Sequence, residues 1–458
     1  MNPAIWVARQ AMVRPDAPAL ADGTEVHATW SEFAARIAAV AGGLTKTLGL
    51  APGDRVAIVM GNSPEYLEAK FAIWHAGLCA VPMNAKLHPK EFAFILANSG
   101  ARLCFVTPDL KEDIAEAAKE APELKEIVET GTKPFTFMVV GDPTPIVAVE
   151  PTDTAWLFYT SGTTGRPKGA MLTHGNLLHN VESCRKVLAV VDFDRFVLML
   201  PMFHSFMLTV CILLPLIAGG SIVLIQSLHA PKHALEEMLR RGGTVLPAMA
   251  ALFRTLAHLP HGLELPLRLC ISGAGPLPAE ILRAFNQRHP RVPLIEGYGL
   301  SEASPVVSVN PIAGPWVDGS IGLPIPDVEI SIQSDDGQPL PDGTDGEICV
   351  RGGNVMAGYW NAPGKTAETL VDGWLRTGDI GHRRPDGYFV VTDRKKDMLK
   401  PNGINVYPRE IEEVLYQIPG VREAAVVGEP CERRGERPVA FLSLDEGRSF
   451  DESDRKST

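Results

Sequence analysis

The sequence has no Cys-x-x-Cys pair. Its seven cysteines (Cys79, Cys104, Cys184, Cys211, Cys270, Cys349 and Cys431) are scattered, most of them in apolar runs such as LRLCISG. That spacing excludes a disulfide framework and a zinc ribbon, and it predicts reduced, buried thiols. The N-terminal stretch lacks the charged-then-apolar layout of a secretory signal. No apolar run is long enough for a bilayer: the longest, residues 207–218, is about twelve residues, the length of a core helix. Positive charge is scarce as well. With 43 Lys+Arg against 54 Asp+Glu the net charge is -11, which argues against a nucleic-acid partner and against polybasic membrane docking. There is no short fixed repeat, and no convincing Ser/His/Asp or Cys/His set for covalent catalysis. These absences predict a cytoplasmic protein with no integral membrane segment.

What is present is alternation. A chain of 458 residues with 45% hydrophobic content is too long for one core, and 42 Gly with 38 Pro are spread as turns. From Thr29 to about Thr107 helical stretches (WSEFAARIAAVAGGL, PEYLEAKFAIWHAG, PKEFAFILANSG) alternate with β-rich runs (RVAIVM, CAVPMN, RLCFVT). A charged helix is expected over LKEDIAEAAKEAPELKEI. The alternation resumes with SIVLIQ, HALEEMLRRG, TVLPAM, AALFRTLAHL, LRLCISG and PAEILRAFNQRH. Two blocks of this kind imply βαβ units and two doubly wound parallel sheets packed together. After about Ser304, turn signals recur roughly every ten residues between short strands, which suggests a small β-barrel. A charged break, DRKKD, then precedes a last stretch with the helix YPREIEEVLYQIPG and the runs AAVVGE and PVAFLSL. The expected fold is α/β. A large N-terminal domain (1–392) holds two parallel-sheet subdomains and a β-barrel subdomain. A small, incomplete α+β C-terminal domain (393–458) follows.

The chemistry-bearing signals come in order. YTSGTTGRPKG at 159–169 follows the strand-like run AWLFY. Its glycines let the backbone approach an anion, its hydroxyls can donate to phosphate oxygens, and Lys168 adds a point charge. The spacing is not G-x-x-x-x-G-K-S/T, so this is not a standard P-loop. Composition alone also suits a plain surface turn. EGYGLSEAS at 296–304 follows the strand VPLI, SGAG at 272–275 is a Gly-rich turn after LRLCI, and WLRTGD ends at Asp379. KDMLKPNGIN at 396–405 lies just past Asp393 and Arg394, and PMFHSFM carries His204.

Taken as whole strings, these segments resemble the adenylate-forming superfamily, with its acyl-CoA synthetases, luciferases and peptide-synthetase adenylation domains. The likeness runs from about Pro18 to about Leu444. It implies that Thr160, Ser161, Gly162, Thr163, Thr164, Gly165 and Lys168 wrap the phosphates of ATP. Thr160 and Glu302 form the metal-side pair for Mg²⁺, which prefers few carboxylates plus phosphate oxygens. The motif holding Glu296, Gly297, Tyr298, Gly299 and Ser301 brings the Tyr298 ring against adenine. Gly273, Ala274 and Gly275 line the adenine and acyl sides of the pocket. Asp379 accepts from the ribose hydroxyls with Arg394 beside it, and Asp393 is the hinge. Lys400, Gly403 and Asn405 belong to the loop that serves thioester formation with CoA. His204 gates the acyl tunnel.

By the same resemblance Lys168, His204, Glu302 and Lys400 are the catalytic set. The substrate is a small carboxylic acid, a medium- or long-chain fatty acid of the kind bacterial fatty acyl-CoA ligases use, with an aryl acid as the alternative. An acyl carrier's phosphopantetheine in place of CoA, and a remnant that binds nucleotide without turnover, are competing readings, and a homodimer is left open. Family members continue to a Gly-Lys element about sixty residues further on by domain size. Its absence here leads to an expectation of slow adenylation.

Overall fold

The computed structural model describes residues 1–160, 166–226, 231–260, 263–399, 401, 406–416, 418, 420–431 and 435–444. Its framework is two β-sheets clad in helices. Local chemistry sets the helix starts. Thr29 and Glu32 make a reciprocal capping box for Trp30–Gly42. Ser63 accepts from the Tyr66 N–H, and Pro64 sits at the first turn of Pro64–His75, where its missing N–H costs nothing.

The first sheet has seven strands, in the order Gly358–Tyr359, Lys168–Thr173, Thr154–Thr160, Cys79–Pro82, Arg55–Val59, Ala101–Val106 and Glu126–Glu129. From Thr154–Thr160 to Glu126–Glu129 its pairs are parallel, as the βαβ alternation predicts. One strand lies in a segment given no element in the sequence reading, and another departs from that reading. KGAMLT, rich in helix formers, is a strand because it pairs antiparallel along Thr154–Thr160. The expected charged helix stops early: Lys111–Ala117 is helical, but Glu126–Glu129 is a strand, with Ile127 opposite Cys104 and Val128 opposite Phe105. At Glu126–Glu129, pairing at the sheet edge outweighs the helix propensity of the charged run it closes.

The second sheet has fourteen strands. A parallel run of Ser221–Leu224, Arg195–Leu198, Val245–Ala248, Leu269–Ser272 and Leu294–Gly299 forms one half. At Leu294–Gly299 the ladder turns antiparallel, onto Val306–Val309 and Ser320–Pro324. It continues through Phe389–Arg394, Trp374–Arg383 and Gly346–Gly352 to Val328–Gln333. This antiparallel half is the portion expected as a small barrel, and it shares a continuous ladder with the parallel half.

The apolar run 207–218 is a core element, as its length predicts. It is a short helix, a π-helical stretch over Leu208–Leu213 and a last turn over Leu214–Ala218, with most of its side chains fully buried. Its residues join one apolar cluster with Trp74 and Trp156 from the first sheet's side and Phe196 and Leu198 from the second. The run packs on the second sheet at Arg195–Leu198 and Ser221–Leu224, and the same apolar cluster continues to the first sheet. Beyond Asp393 lies a small lobe: the helix Pro408–Leu415 and the hairpin Val421–Cys431 with Gly435–Leu444. All seven cysteines are free thiols, six of them buried. Among the described residues no helix is long and apolar enough to cross a membrane.

Candidate active site

The two sheets bring the motifs together at their strand ends. Thr160 closes the strand Thr154–Thr160, and Lys168 opens the next strand directly opposite it in register. Glu302 sits in a single 3₁₀ turn, Ser301–Ala303, just after the strand Leu294–Gly299. The Thr160 hydroxyl donates to Glu302 Oε1 at 3.2 Å, across 142 residues of sequence. The pair expected on the metal side is thus in contact. Lys168 is beside it, its Nζ 5.1 Å from the centre of the Tyr359 ring.

The turn carrying Glu302 is tightly determined. A Cβ at Gly299 would lie 2.1 Å from the Pro305 carbonyl oxygen, so only glycine fits there. The backbone N–H of Met356 holds the Glu302 carbonyl at 2.8 Å. Ser301 shares a hydrogen bond with Ser205 at 3.1 Å, which ties the turn to the segment carrying His204.

Tyr298 donates its hydroxyl to Asp379 Oδ2 at 2.6 Å, and Arg394 Nε stands 3.4 Å from the other carboxylate oxygen. Asp379 and Arg394 are register partners on adjacent antiparallel strands. Burial raises the Asp379 pKa, and the Tyr298 hydroxyl and the Arg394 charge pull it back in part. Burial first, and the Asp379 charge second, push the Tyr298 hydroxyl up, so it remains a donor.

His204 is largely buried between Phe158 and Phe203, with each ring centre 6.4 Å from its own. Its Nδ1 accepts from the Phe206 N–H at 3.2 Å, which leaves the proton of the neutral ring on Nε2. Burial lowers its pKa, so the ring stays neutral below the usual histidine range. Phe206 in turn lies against Gly273, where a Cβ would come within 2.9 Å of the Phe206 Cζ. Ala274 holds a left-handed backbone at φ 64, and a Cβ at Gly275 would meet open space. Gly297 is less confined than Gly299: its nearest neighbour would be 3.4 Å away.

Glu296 lies in the same strand as Tyr298, and its carboxylate has a backbone partner. Its Oε1 accepts from the Leu277 N–H at 3.1 Å, so the carboxylate fixes the chain just after the 272–275 turn. Asp393 accepts from two backbone N–H groups, of Arg394 at 2.7 Å and of Arg409 at 3.1 Å. It thereby ties the end of the antiparallel sheet to the first turn of the lobe's helix. Ser161, Gly162, Thr163, Thr164, Gly165, Lys400, Gly403 and Asn405 lie outside the described residues.

Sequence reading missed Tyr359. Its hydroxyl donates to Glu302 Oε1 at 3.0 Å, beside the Thr160 hydroxyl. The available signal was an aromatic pair, Tyr359-Trp360, inside a stretch of turn residues.

The residues suit a hard cation carried by phosphates. Glu302 and Thr160 supply adjacent oxygens, and Mg²⁺ commonly takes one or two carboxylates plus phosphate oxygens. Among the described residues no cluster of three or more His, Cys, Asp or Glu could hold a metal unaided.

Two family models match this chain. One, described as AMP-binding enzyme, covers residues 7–360; the other, its C-terminal domain, covers 410–457. The chain belongs to the AMP-binding enzymes. Its relatives are acid–CoA ligases. A feruloyl-CoA synthase of an Amycolatopsis species is 37% identical over 97% of this chain and 89% of its own length. A long-chain-fatty-acid–CoA ligase of Yersinia pestis is 35% identical over 93% of this chain and 83% of its own. Among solved structures, ATP-bound MatB from Rhodopseudomonas palustris superposes with a TM-score of 0.90 at 31% identity. That match covers 98% of this chain and 90% of MatB. The α/β fold expected from the alternation is that of the solved AMP-binding relatives.

Proposed function

We propose that this chain is an ATP-dependent, AMP-forming ligase that joins an apolar carboxylic acid, a medium- or long-chain fatty acid, to CoA. The observation that carries the reading is the meeting of Thr160 and Glu302 at 3.2 Å, with Lys168 opposite Thr160 and the Tyr298–Asp379 pair alongside. Hydroxyl, carboxylate, ammonium and a diol acceptor are the groups a nucleoside triphosphate requires.

The acid's carboxylate attacks the α-phosphate, the bond to the β-phosphate oxygen breaks, and pyrophosphate leaves with the electron pair. The CoA thiol then attacks the acyl-adenylate and expels AMP. Neither step needs a protein nucleophile, so the protein's contribution is positioning and charge. Lys168 offsets phosphate charge, Asp379 with Arg394 fixes the ribose, and Tyr298 aims Asp379 while offering its ring to the base. Glu302 and Thr160 would hold Mg²⁺ against the phosphates. That ion would neutralise charge on the triphosphate and orient its leaving group.

The acyl side is apolar. Phe158, Met202, Phe206 and Met207 are buried around His204, and the neutral ring of His204 offers no partner to a charged acid tail. A second reading, an aryl acid, draws support from the feruloyl-CoA synthase relative and from the Phe206–Gly273 contact, which shortens the space behind the turn. A panel of fatty and aryl acids with ATP, Mg²⁺ and CoA, scored for AMP release, tests both. Highest turnover on C8–C16 acids supports the first reading, and highest turnover on cinnamic or benzoic acids supports the second. ADP formation, or no acid-dependent ATP consumption, contradicts both.

A further inference from the structure

Tyr359 touches both charges at the triphosphate end of the site. Its hydroxyl donates to Glu302 Oε1 at 3.0 Å, and the Lys168 ammonium stands 5.1 Å from its ring centre. The side chain is 7% exposed and is held from several directions. Its strand, Gly358–Tyr359, pairs with Lys168–Thr173, with Tyr359 opposite Ala170. Its N–H donates to Thr366 Oγ1 at 2.8 Å, and the Trp360 N–H donates to the Gly169 carbonyl at 2.7 Å. The segment is therefore stitched to the strand that bears Lys168. Through the Met356 N–H it is also stitched to Glu302 itself.

The geometry at Glu302 is asymmetric. The hydroxyls of Thr160 and Tyr359 both go to Oε1, whereas among the described residues Oε2 has no hydrogen bond. Two donors on one oxygen fix the carboxylate plane and leave the other oxygen for a cation. Groups that orient a metal-binding carboxylate in this way govern affinity nearly as strongly as the ligand itself. A buried aromatic face beside Lys168 also keeps the ammonium aimed, through cation–π attraction, without neutralising it as a carboxylate would.

We infer that Tyr359 is a positioning residue: it sets the Glu302 carboxylate for metal-bound nucleotide and braces Lys168 for the phosphates. The inference rests on the ATP-dependent reading of this site.

The test is direct binding, with α,β-methylene-ATP as probe, in Mn²⁺ and again in EDTA, on the intact chain and on Tyr359→Phe. The phenylalanine keeps the ring and removes one oxygen. Affinity in Mn²⁺ is expected to fall about ten-fold, the usual effect of losing a group that orients a ligand. Affinity in EDTA and the unfolding temperature without ligand stay at the parent values. In a Glu302→Gln background the same change adds nothing, because the two act as one unit. Tyr359→Leu, which also removes the ring, weakens binding in EDTA as well. Unchanged affinity in Tyr359→Phe, equal losses with and without metal, or additivity with Glu302→Gln would overturn the inference. If the parent itself gains no affinity from Mn²⁺, the nucleotide reading falls and takes the inference with it.

Discussion

The Tyr298 hydroxyl donates to the Asp379 carboxylate at 2.6 Å, a contact between two motifs 81 residues apart. The first carries the aromatic ring expected against the base, and the second carries the acceptor expected for the ribose. A nucleotide lying on one is therefore in register with the other. The arrangement costs stability, because Asp379 is buried and its pKa is raised. A raised carboxyl pKa means the folded protein binds the proton more tightly than the unfolded chain. Stability therefore falls as pH rises from the ordinary aspartate value of 3.8 through the raised pKa. Asp379→Asn keeps an acceptor for Tyr298 and removes the charge. Its ligand-free unfolding temperature should exceed the parent's at pH 7, and the difference should vanish below the ordinary aspartate pKa. Nucleotide affinity should fall, since a neutral amide is a weaker partner for a diol. Calorimetric unfolding across pH, with nucleotide titration at pH 7, checks both signs.

Gly273 faces Phe206 with no room for a methyl group. Gly273→Ala should displace the Phe206 ring into the space behind the turn. Turnover of the preferred acid should fall about ten-fold or more, the effect of a methylene-sized misfit in an apolar pocket. The KM for ATP should stay near the parent value. Phe206→Ala should shift preference toward longer acids. Steady-state kinetics over an acid series measures both.

Lys70 is a separate liability. It is fully buried, its ammonium lies 4.8 Å from the Trp156 ring centre and 5.2 Å from that of Trp74, and it has no hydrogen-bond partner among the described residues. Burial drives its pKa well down. The unfolded chain therefore holds the proton more tightly than the folded one, and stability rises with pH up to the unfolded lysine value of 10.5. Lys70→Met should stabilise the protein by about 1–3 kcal/mol at neutral pH, the scale of an unsatisfied buried polar group. The gain should shrink toward pH 10, and acid–CoA ligase activity should be unchanged. Denaturant unfolding at several pH values reads this out.

Asp393, near the end of the strand Phe389–Arg394, caps the lobe's helix through the Arg409 N–H. Asp393→Ala should cost about 1 kcal/mol, as loss of a helix cap does. Because the bond joins the lobe to the sheet, the two half-reactions should respond unequally. Adenylate formation and thioester formation from supplied acyl-adenylate, measured separately, give the comparison. Equal changes would mean that the bond stabilises the fold and nothing more.

Much of this site was legible in the sequence because its parts are contiguous strings. Thr160, Lys168 and Glu302 sit in motifs at strand ends, while Asp379 lies within the antiparallel strand Trp374–Arg383. Tyr359 was not legible: its meaning depends on a contact across 57 residues, and nothing in Gly358-Tyr359-Trp360 points to Glu302. What the Glu296 motif could not show is the bond its carboxylate accepts from the Leu277 N–H, because that partner lies 19 residues away. In the fold, the alternating blocks were readable from hydrophobic periodicity. The strands Lys168–Thr173 and Glu126–Glu129 were not: each is short and mixed in composition, the second closes a charged helical run, and their sheet neighbours extend both.

The most direct measurement is trapping of the acyl intermediate without CoA. The chain is incubated with ATP, Mg²⁺, a fatty acid and hydroxylamine, and nucleotide and hydroxamate products are quantified. The account predicts AMP and acyl hydroxamate in equal amounts, both falling by about a hundred-fold in Glu302→Gln, the loss expected when a charge-stabilising group is removed. Release of ADP, or hydroxamate formation indifferent to Glu302, would contradict it.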